Sequence, residues 1–170
     1  MGYICLGNNT LCKQDIRPTA YDIVVGLNYR LDSARNGSGQ IYYRTLSLDS
    51  NEYKLTKIYL NLLNPAFTPE NMFMITYDEV LSYDKYSNSR VSFQVFLLAD
   101  SIKSYVLFKF NKCPPDLTLR SSSGLNYRNK VTESLKEIPI DNGQQCTSSN
   151  VGQTGIWVIE VTNLASGKLL

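Results

Sequence analysis

The stretch from Ser92 to Asn111, SFQVFLLADSIKSYVLFKFN, constrains the fold more than any other part of the chain. Two apolar, aromatic-rich runs flank the polar interruption Ala99-Asp100-Ser101-Ile102-Lys103. Phe93, Val95 and Leu97 alternate with Gln94, Phe96 and Leu98. After the break Val106, Phe108 and Phe110 alternate with Tyr105, Leu107 and Lys109. Period-two alternation in residues of high β propensity specifies strands, and so short a connection makes them an antiparallel hairpin. Both faces are largely apolar, so this hairpin belongs in mid-sheet with something packed over each side. A surface of that kind is core and carries no chemistry of its own.

The rest of the chain has to supply the cover. Its 170 residues suit a single domain spanning 1–170, long enough to bury a sizeable core without depending on staples. Tyr21 to Tyr29, YDIVVGLNY, reads as a strand, a turn-rich cluster follows from Asp32 to Gly39, and Ile41-Tyr42-Tyr43-Arg44 begins the next strand. The two are expected to pair as a hairpin with a long loop. One amphipathic helix is expected near 50–63, where Leu55, Ile58, Tyr59, Leu62 and Leu63 recur at i, i+3, i+4, i+7 and i+8. That stripe is expected to bury against the sheet, with Asp49 and Glu52 as a capping box and Asn64-Pro65 as the stop. Phe73 to Val80 is a further strand, Leu81 to Arg90 a polar loop containing Tyr83 and Tyr86, and Cys113-Pro114-Pro115 ends the central hairpin. Ser121 to Asn142 is polar and turn-rich, and a last strand carries Trp157, the one Trp, expected in the core. The fold class is therefore mainly β (β-rich α+β): an antiparallel sheet or sandwich built around the hairpin 91–111, with one helix packed on it.

Composition excludes several functions. The chain has no histidine, which removes Ser-His-Asp and Cys-His nucleophilic arrangements and every His-ligated metal site. Asp78 and Glu79 are the one pair of adjacent carboxylates, and neighbours on a strand point to opposite faces, so they cannot act jointly as acid and base. A net charge of +2 with scattered Lys and Arg argues against a nucleic-acid or anionic-membrane surface. Runs such as Val95 to Ala99 are far too short to span a bilayer. No enzyme and no cofactor is expected.

The four cysteines, Cys5, Cys12, Cys113 and Cys146, permit three pairings. Their spacing does not suit a structural zinc site, and two disulfides, Cys5–Cys12 and Cys113–Cys146, are expected in an oxidising compartment. In the chain-entropy picture the second closes a loop worth about 3–4 kcal/mol. Asn8-Asn9-Thr10 and Asn36-Gly37-Ser38 place glycosylation acceptors at Asn8 and Asn36 in polar, turn-like stretches. Met1-Gly2 opens without a signal-peptide pattern, and Leu6 stands where a myristoylation site needs Ser or Thr. Paired cysteines without a leader imply a piece of a longer secreted chain.

Several segments together resemble the NIDO domain of nidogen, alpha-tectorin and the large membrane mucins. Phe93-Gln94, an apolar run, Asp100 and Ser104-Tyr105-Val106-Leu107-Phe108 are similar to that family's TFQ, apolar run with Asp, and RSYVLF. Ile23 to Asp32, a Gly-rich loop and Ile41-Tyr42-Tyr43-Arg44-Thr45 resemble APFWADVDT, loop, VYYRE, with Asn28 and Arg30 where the family has its acidic pair. Gly2 to Gly7 resembles NGYISF, Thr76 to Val80 resembles TWDRV, and Ser123 to Asn126 resembles AGFN. Glu137-Ile138-Pro139 stands near the family's SLPGS, and Ser149 to Val161, SNVGQTGIWVIEV, is similar to its SNVGVPGRWVFRVD. The resemblance runs over about 2–161 in the same order and implies that the first part of the family domain is missing or carried elsewhere.

What the resemblance implies is a non-catalytic extracellular module acting in cell–matrix adhesion or matrix assembly. Its expected partner is an extracellular matrix or cell-surface protein, and it is expected to be part of a larger multidomain protein. The alternative is a carbohydrate-binding β-sandwich, because twelve Tyr and one Trp can supply stacking surfaces. Recognition by a rigid sheet falls to its loops. Arg30 to Gly39 carries two Arg but also the sequon at Asn36. The loop from Leu81 to Arg90 has none, and Tyr83, Tyr86 and Arg90 are the expected contact residues there.

Overall fold

The computed structural model describes residues 2–6, 23–28, 31–82, 88–114, 122–128, 135–140 and 144–162. In chain order these contain β1 (Gly2–Leu6), β2 (Ile23–Asn28), β3 (Leu31–Asp32), β4 (Gln40–Thr45), α1 (Asn51–Leu63), β5 (Asn71–Ser82), β6 (Arg90–Ala99), β7 (Ser104–Lys112), β8 (Ser122–Arg128), β9 (Leu135–Ile140) and β10 (Ile156–Glu160). Every pairing is antiparallel. A six-stranded sheet runs β10-β7-β6-β5, with β3 and β4 sharing the far side of β5, and a four-stranded sheet runs β1-β2-β8-β9.

The β6–β7 hairpin sits in mid-sheet, as its alternation demands. Asp100 closes it, its Oδ1 accepting from the N–H groups of Ile102 at 2.7 Å and Lys103 at 2.5 Å. One face of the sheet buries Phe93, Val95, Phe108, Phe110 and Trp157 together with Ile140 from the end of β9. The other buries Phe96, Leu98, Tyr105, Leu107 and Val158 together with Tyr53 and Leu60 of α1. On the first face Tyr77, Phe93 and Phe110 step across three strands, with ring centroids 4.2 Å and 5.7 Å apart. Such contacts add about 0.5–1.5 kcal/mol beyond the area they bury. Burial there pushes the Tyr77 hydroxyl up to about 12.

Trp157 is core, with its indole N–H donating to the Gln145 carbonyl at 3.0 Å. The adjacent Cys146 forms a disulfide with Cys113 at a Cα separation of 6.1 Å. Hydrogen bond and disulfide together tie the segment before β10 to the end of β7. Gly155 takes φ +78, and a Cβ there would lie 2.7 Å from the Phe110 carbonyl oxygen, so only glycine fits this approach.

The helix forms where expected but turns its other face inward. Tyr53, Thr56 and Leu60 are buried, whereas of the expected stripe only Tyr59 packs, half-buried, against the core and Leu55, Ile58, Leu62 and Leu63 are exposed. Thr56 enters the interface because its hydroxyl donates to the Glu52 carbonyl at 2.7 Å, which removes the cost of burying it. The N-cap is Ser50, whose Oγ accepts from the Tyr53 N–H at 3.1 Å, and not Asp49. At the other end the Asn64 side-chain amide donates to the Tyr105 hydroxyl at 3.0 Å, which in turn donates to Glu160 at 3.0 Å. This chain of bonds ties the helix to β7 and β10.

Two further expectations are corrected. The YDIVVGLNY strand and the IYYR strand do not pair: β2 lies between β1 and β8 in the smaller sheet, and β4 pairs with β5. The span 121–142, read as polar and turn-rich with no strand assigned, contains the β8–β9 hairpin. Its residues SSGLNYR and LKEIPI are too polar, and too interrupted by Gly124 and Pro139, to carry a period-two signal.

The inverted helix gives a direct test. Leu60→Ala, at a residue 0% exposed, should cost about 2–5 kcal/mol by leaving a cavity. Leu62→Ala, at 61% exposure, should stay within about 0.5 kcal/mol. Chemical denaturation of the two variants beside the native chain reads both values.

Candidate functional site

Several loops and strand ends meet at one end of the larger sheet, and a break in β5 organises them. The β5–β6 register shifts between Tyr77 and Val80, and Glu79 within that bulge takes φ +51. Left-handed backbone at a non-glycine residue costs on the order of 1 kcal/mol or more and persists only where the surroundings hold it. Here they do. The Glu79 N–H donates to Ser92 Oγ at 2.9 Å, and the Glu79 carbonyl accepts from the Gly39 N–H at 3.0 Å and from Arg90 Nη1 at 3.1 Å. The bulge also removes the strand alternation on which the separation of Asp78 from Glu79 rested.

The Glu79 side chain completes the cluster. Lys112 Nζ donates to both carboxylate oxygens, at 3.0 Å and 2.8 Å, and the Ser92 hydroxyl donates at 3.3 Å. The hydrogen bond from Lys112 is the main cause that holds this carboxyl below its ordinary value, with the charges of Lys112 and Arg90 adding to it.

The β3–β4 loop is pinned onto this bulge. Asp32 Oδ1 accepts from the N–H groups of Ala34 and Arg35, both at 3.1 Å, and opens the turn. Ser38 Oγ accepts from the Leu81 N–H at 3.0 Å. Gly39 lies against β5 so closely that a Cβ would fall 1.7 Å from the Asp78 carbonyl oxygen. Arg90 Nη2 donates to the Gly37 carbonyl at 2.7 Å, so its guanidinium bridges loop and bulge. Arg35 reaches Ser82 and Asn88 at 3.4 Å each, across the mouth of the β5–β6 loop. The Ser82 N–H closes that mouth on the Ser89 carbonyl at 2.9 Å. Beside it, Asn88, Ser89, Arg90, Lys112, Cys113 and Pro114 line an open cleft of about 500 Å³.

Of the residues expected to matter, Arg90 stands at the base of this assembly as a clamp on two backbone carbonyls. Tyr83 and Tyr86 belong to the same β5–β6 loop but lie outside the described residues, as do Asn8 and Cys12. Cys5 is on β1. Asn36 is exposed in the β3–β4 loop. Sequence reasoning missed Glu79, Ser92 and Lys112 as one group. A carboxylate followed by an alternation restarting one residue late was the available signal, and it is weak. Chemically the cluster is a set of mutually satisfied polar groups that fixes loop geometry, and no described group of three Cys, Asp or Glu is placed to hold a metal ion. No helix among the described residues is long and apolar enough to cross a membrane.

The family model for the nidogen-like domain matches residues 14–163. No curated protein and no solved structure matches the chain.

The depressed Glu79 carboxyl fixes a sign. A carboxylate held low by its native contacts adds stability at neutral pH, and that share is lost as pH falls below the ordinary 4.5 and through the lowered folded value. Glu79→Gln should therefore flatten the acid limb of a Tm–pH profile relative to the native chain. Thermal unfolding followed between neutral pH and the acid range checks it, and parallel acid limbs would refute the assignment.

Proposed function

The chain belongs to the nidogen-like domain family, an extracellular domain family of matrix and adhesion proteins, and from that membership we propose that it is a non-catalytic module that binds another extracellular protein. The family match over residues 14–163 carries this reading. The Cys113–Cys146 disulfide is consistent with an oxidising, extracellular setting. The protein acts in cell–matrix adhesion or matrix assembly, within a larger multidomain chain, and glycans occupy Asn8 and Asn36.

Binding runs through the loops at the Glu79 end of the sheet. Rigid scaffolds present recognition residues on loops, and the hydrogen-bonded bulge is such a scaffold. Tyr83 and Tyr86 make the contact, being of a residue type enriched where partners bind tightly. Arg90 serves the same surface by anchoring the base of their loop, which its two backbone contacts support. A glycan on Asn36 shields the neighbouring loop and leaves the β5–β6 loop as the open one.

The test separates contact from scaffold. The double variant Tyr83→Ala/Tyr86→Ala should keep the native melting temperature and lose at least tenfold in affinity for a matrix partner recovered by pull-down. Arg90→Ala should lower the melting temperature as well. Undiminished binding by the double variant would remove this loop from the interface. Binding to a glycan array with no protein partner would replace the adhesion reading with a carbohydrate-binding one.

A further inference from the structure

The larger sheet treats its two edges differently. At the β10 edge, the Asn150 side chain donates to the Val158 carbonyl at 2.6 Å and accepts from the Val158 N–H at 2.9 Å, occupying the backbone groups that another strand would use. At the opposite edge, all six residues of β4 are exposed. Among the described residues no side chain covers that edge. It also carries few of the usual devices against strand addition, having no Pro, a single charged residue in Arg44 and an unbroken register from Gln40 to Thr45.

The ladder shows which groups are on offer. Leu46 N–H donates to the Met72 carbonyl at 3.0 Å, and Arg44 pairs with Met74 and Tyr42 with Thr76 in the same register. Even-numbered residues of β4 therefore bond toward β5, and Ile41, Tyr43 and Thr45 turn their N–H and C=O groups outward. Three consecutive outward pairs centred on Tyr43 are self-complementary in an antiparallel sense.

We propose that two copies of this chain associate through β4, antiparallel, with Tyr43 on the two-fold axis. In that register Tyr43 faces Tyr43 of the second copy, and Ile41 faces Thr45 in both directions, forming three hydrogen-bonded residue pairs. Tyr42 of each copy faces Arg44 of the other in a non-hydrogen-bonded pair, where side chains approach most closely. A guanidinium over a Tyr ring is a favourable contact. Like charges do not oppose the pairing, because Arg44, the one charged residue of the strand, is already ion-paired with Glu52 of its own α1.

The surface also suits this occupant in kind. Ile41, Tyr42 and Tyr43 are 41%, 52% and 75% exposed. The Arg44–Glu52 pair places one flank of α1 beside β4, and exposed Leu63, at i+11 from Glu52, lies on that flank. Two such flanks border the seam on one face. On the other, Tyr43 packs at 5.9 Å from Phe73 and would be covered by its symmetry mate. Tyr42 and Tyr43 have only their 52% and 75% exposure left to bury, so the seam is smaller than the roughly 800 Å² per partner of a standard interface and suits a weak, reversible dimer.

Sedimentation velocity of the whole chain over a wide concentration range should show a reversible monomer–dimer equilibrium. Tyr43→Lys should move its midpoint at least tenfold higher in concentration with the melting temperature unchanged. As a second reading that does not depend on how that variant folds, Tyr43→Cys treated with a short thiol-specific crosslinker should give covalent dimer. Ile102→Cys, equally exposed but in the β6–β7 turn, and the native chain should give none. A chain that stays monomeric throughout, or a dimer that survives Tyr43→Lys and crosslinks no better at position 43 than at 102, would overturn the proposal.

Discussion

A hairpin that is apolar on both faces cannot be satisfied by one layer of cover, and the remainder of the architecture answers that demand. Burying Phe93, Val95 and Phe108 on one side and Phe96, Leu98 and Leu107 on the other requires two separate packing partners. The helix supplies one with Tyr53 and Leu60, and the end of β9 contributes to the other through Ile140. The polar bonds then serve position more than cohesion. Asn64, Tyr105 and Glu160 fix where the helix ends over the sheet, and Gln145 with Trp157 fixes the approach to β10. Each such bond adds about a kcal/mol net, whereas each fully buried large side chain contributes about 1.5–3 kcal/mol.

How much of this was legible in the sequence depends on whether a signal was local. The central hairpin and its Asp100 turn were, because alternation and turn chemistry are both short-range. The helix was legible as a helix but not in its orientation. Periodicity singles out the stripe with Leu55, Ile58 and Leu62, and those residues face outward. The buried stripe contains Thr56, whose hydroxyl is satisfied within the helix itself, so hydrophobicity alone ranks the faces wrongly. Strand partners were the least legible. The YDIVVGLNY and IYYR segments are separated by a turn-rich loop that looks like a hairpin loop. Only the competition for the side of β5, a property of the whole sheet, sends β4 there and leaves β2 in the smaller sheet.

The cluster around Glu79 shows why a site of this kind escapes sequence reasoning. Its members come from β5, β6, β7 and the β3–β4 loop, and none carries a motif. Their meeting follows from a single inserted residue in β5, which turns the chain at φ +51 and aims one carbonyl at both Gly39 and Arg90. The strain is local and the compensation is distributed over several strands, so the placement of the β3–β4 loop against the bulge is a property of tertiary structure.

The Cys113–Cys146 bond has a mechanical side. It joins residues separated by 33 positions in sequence, and β8 and β9 lie wholly inside the ring it closes. Tension applied through the ends of a chain passes directly across a covalent bridge. The enclosed residues would add on the order of 110 Å of contour if they could unravel, at about 3.3–3.6 Å per residue. While the bridge is intact that length is withheld. The domain can then yield from its flanks under load without the residues of the β8–β9 hairpin lengthening the chain, and reduction of the bridge would release that length.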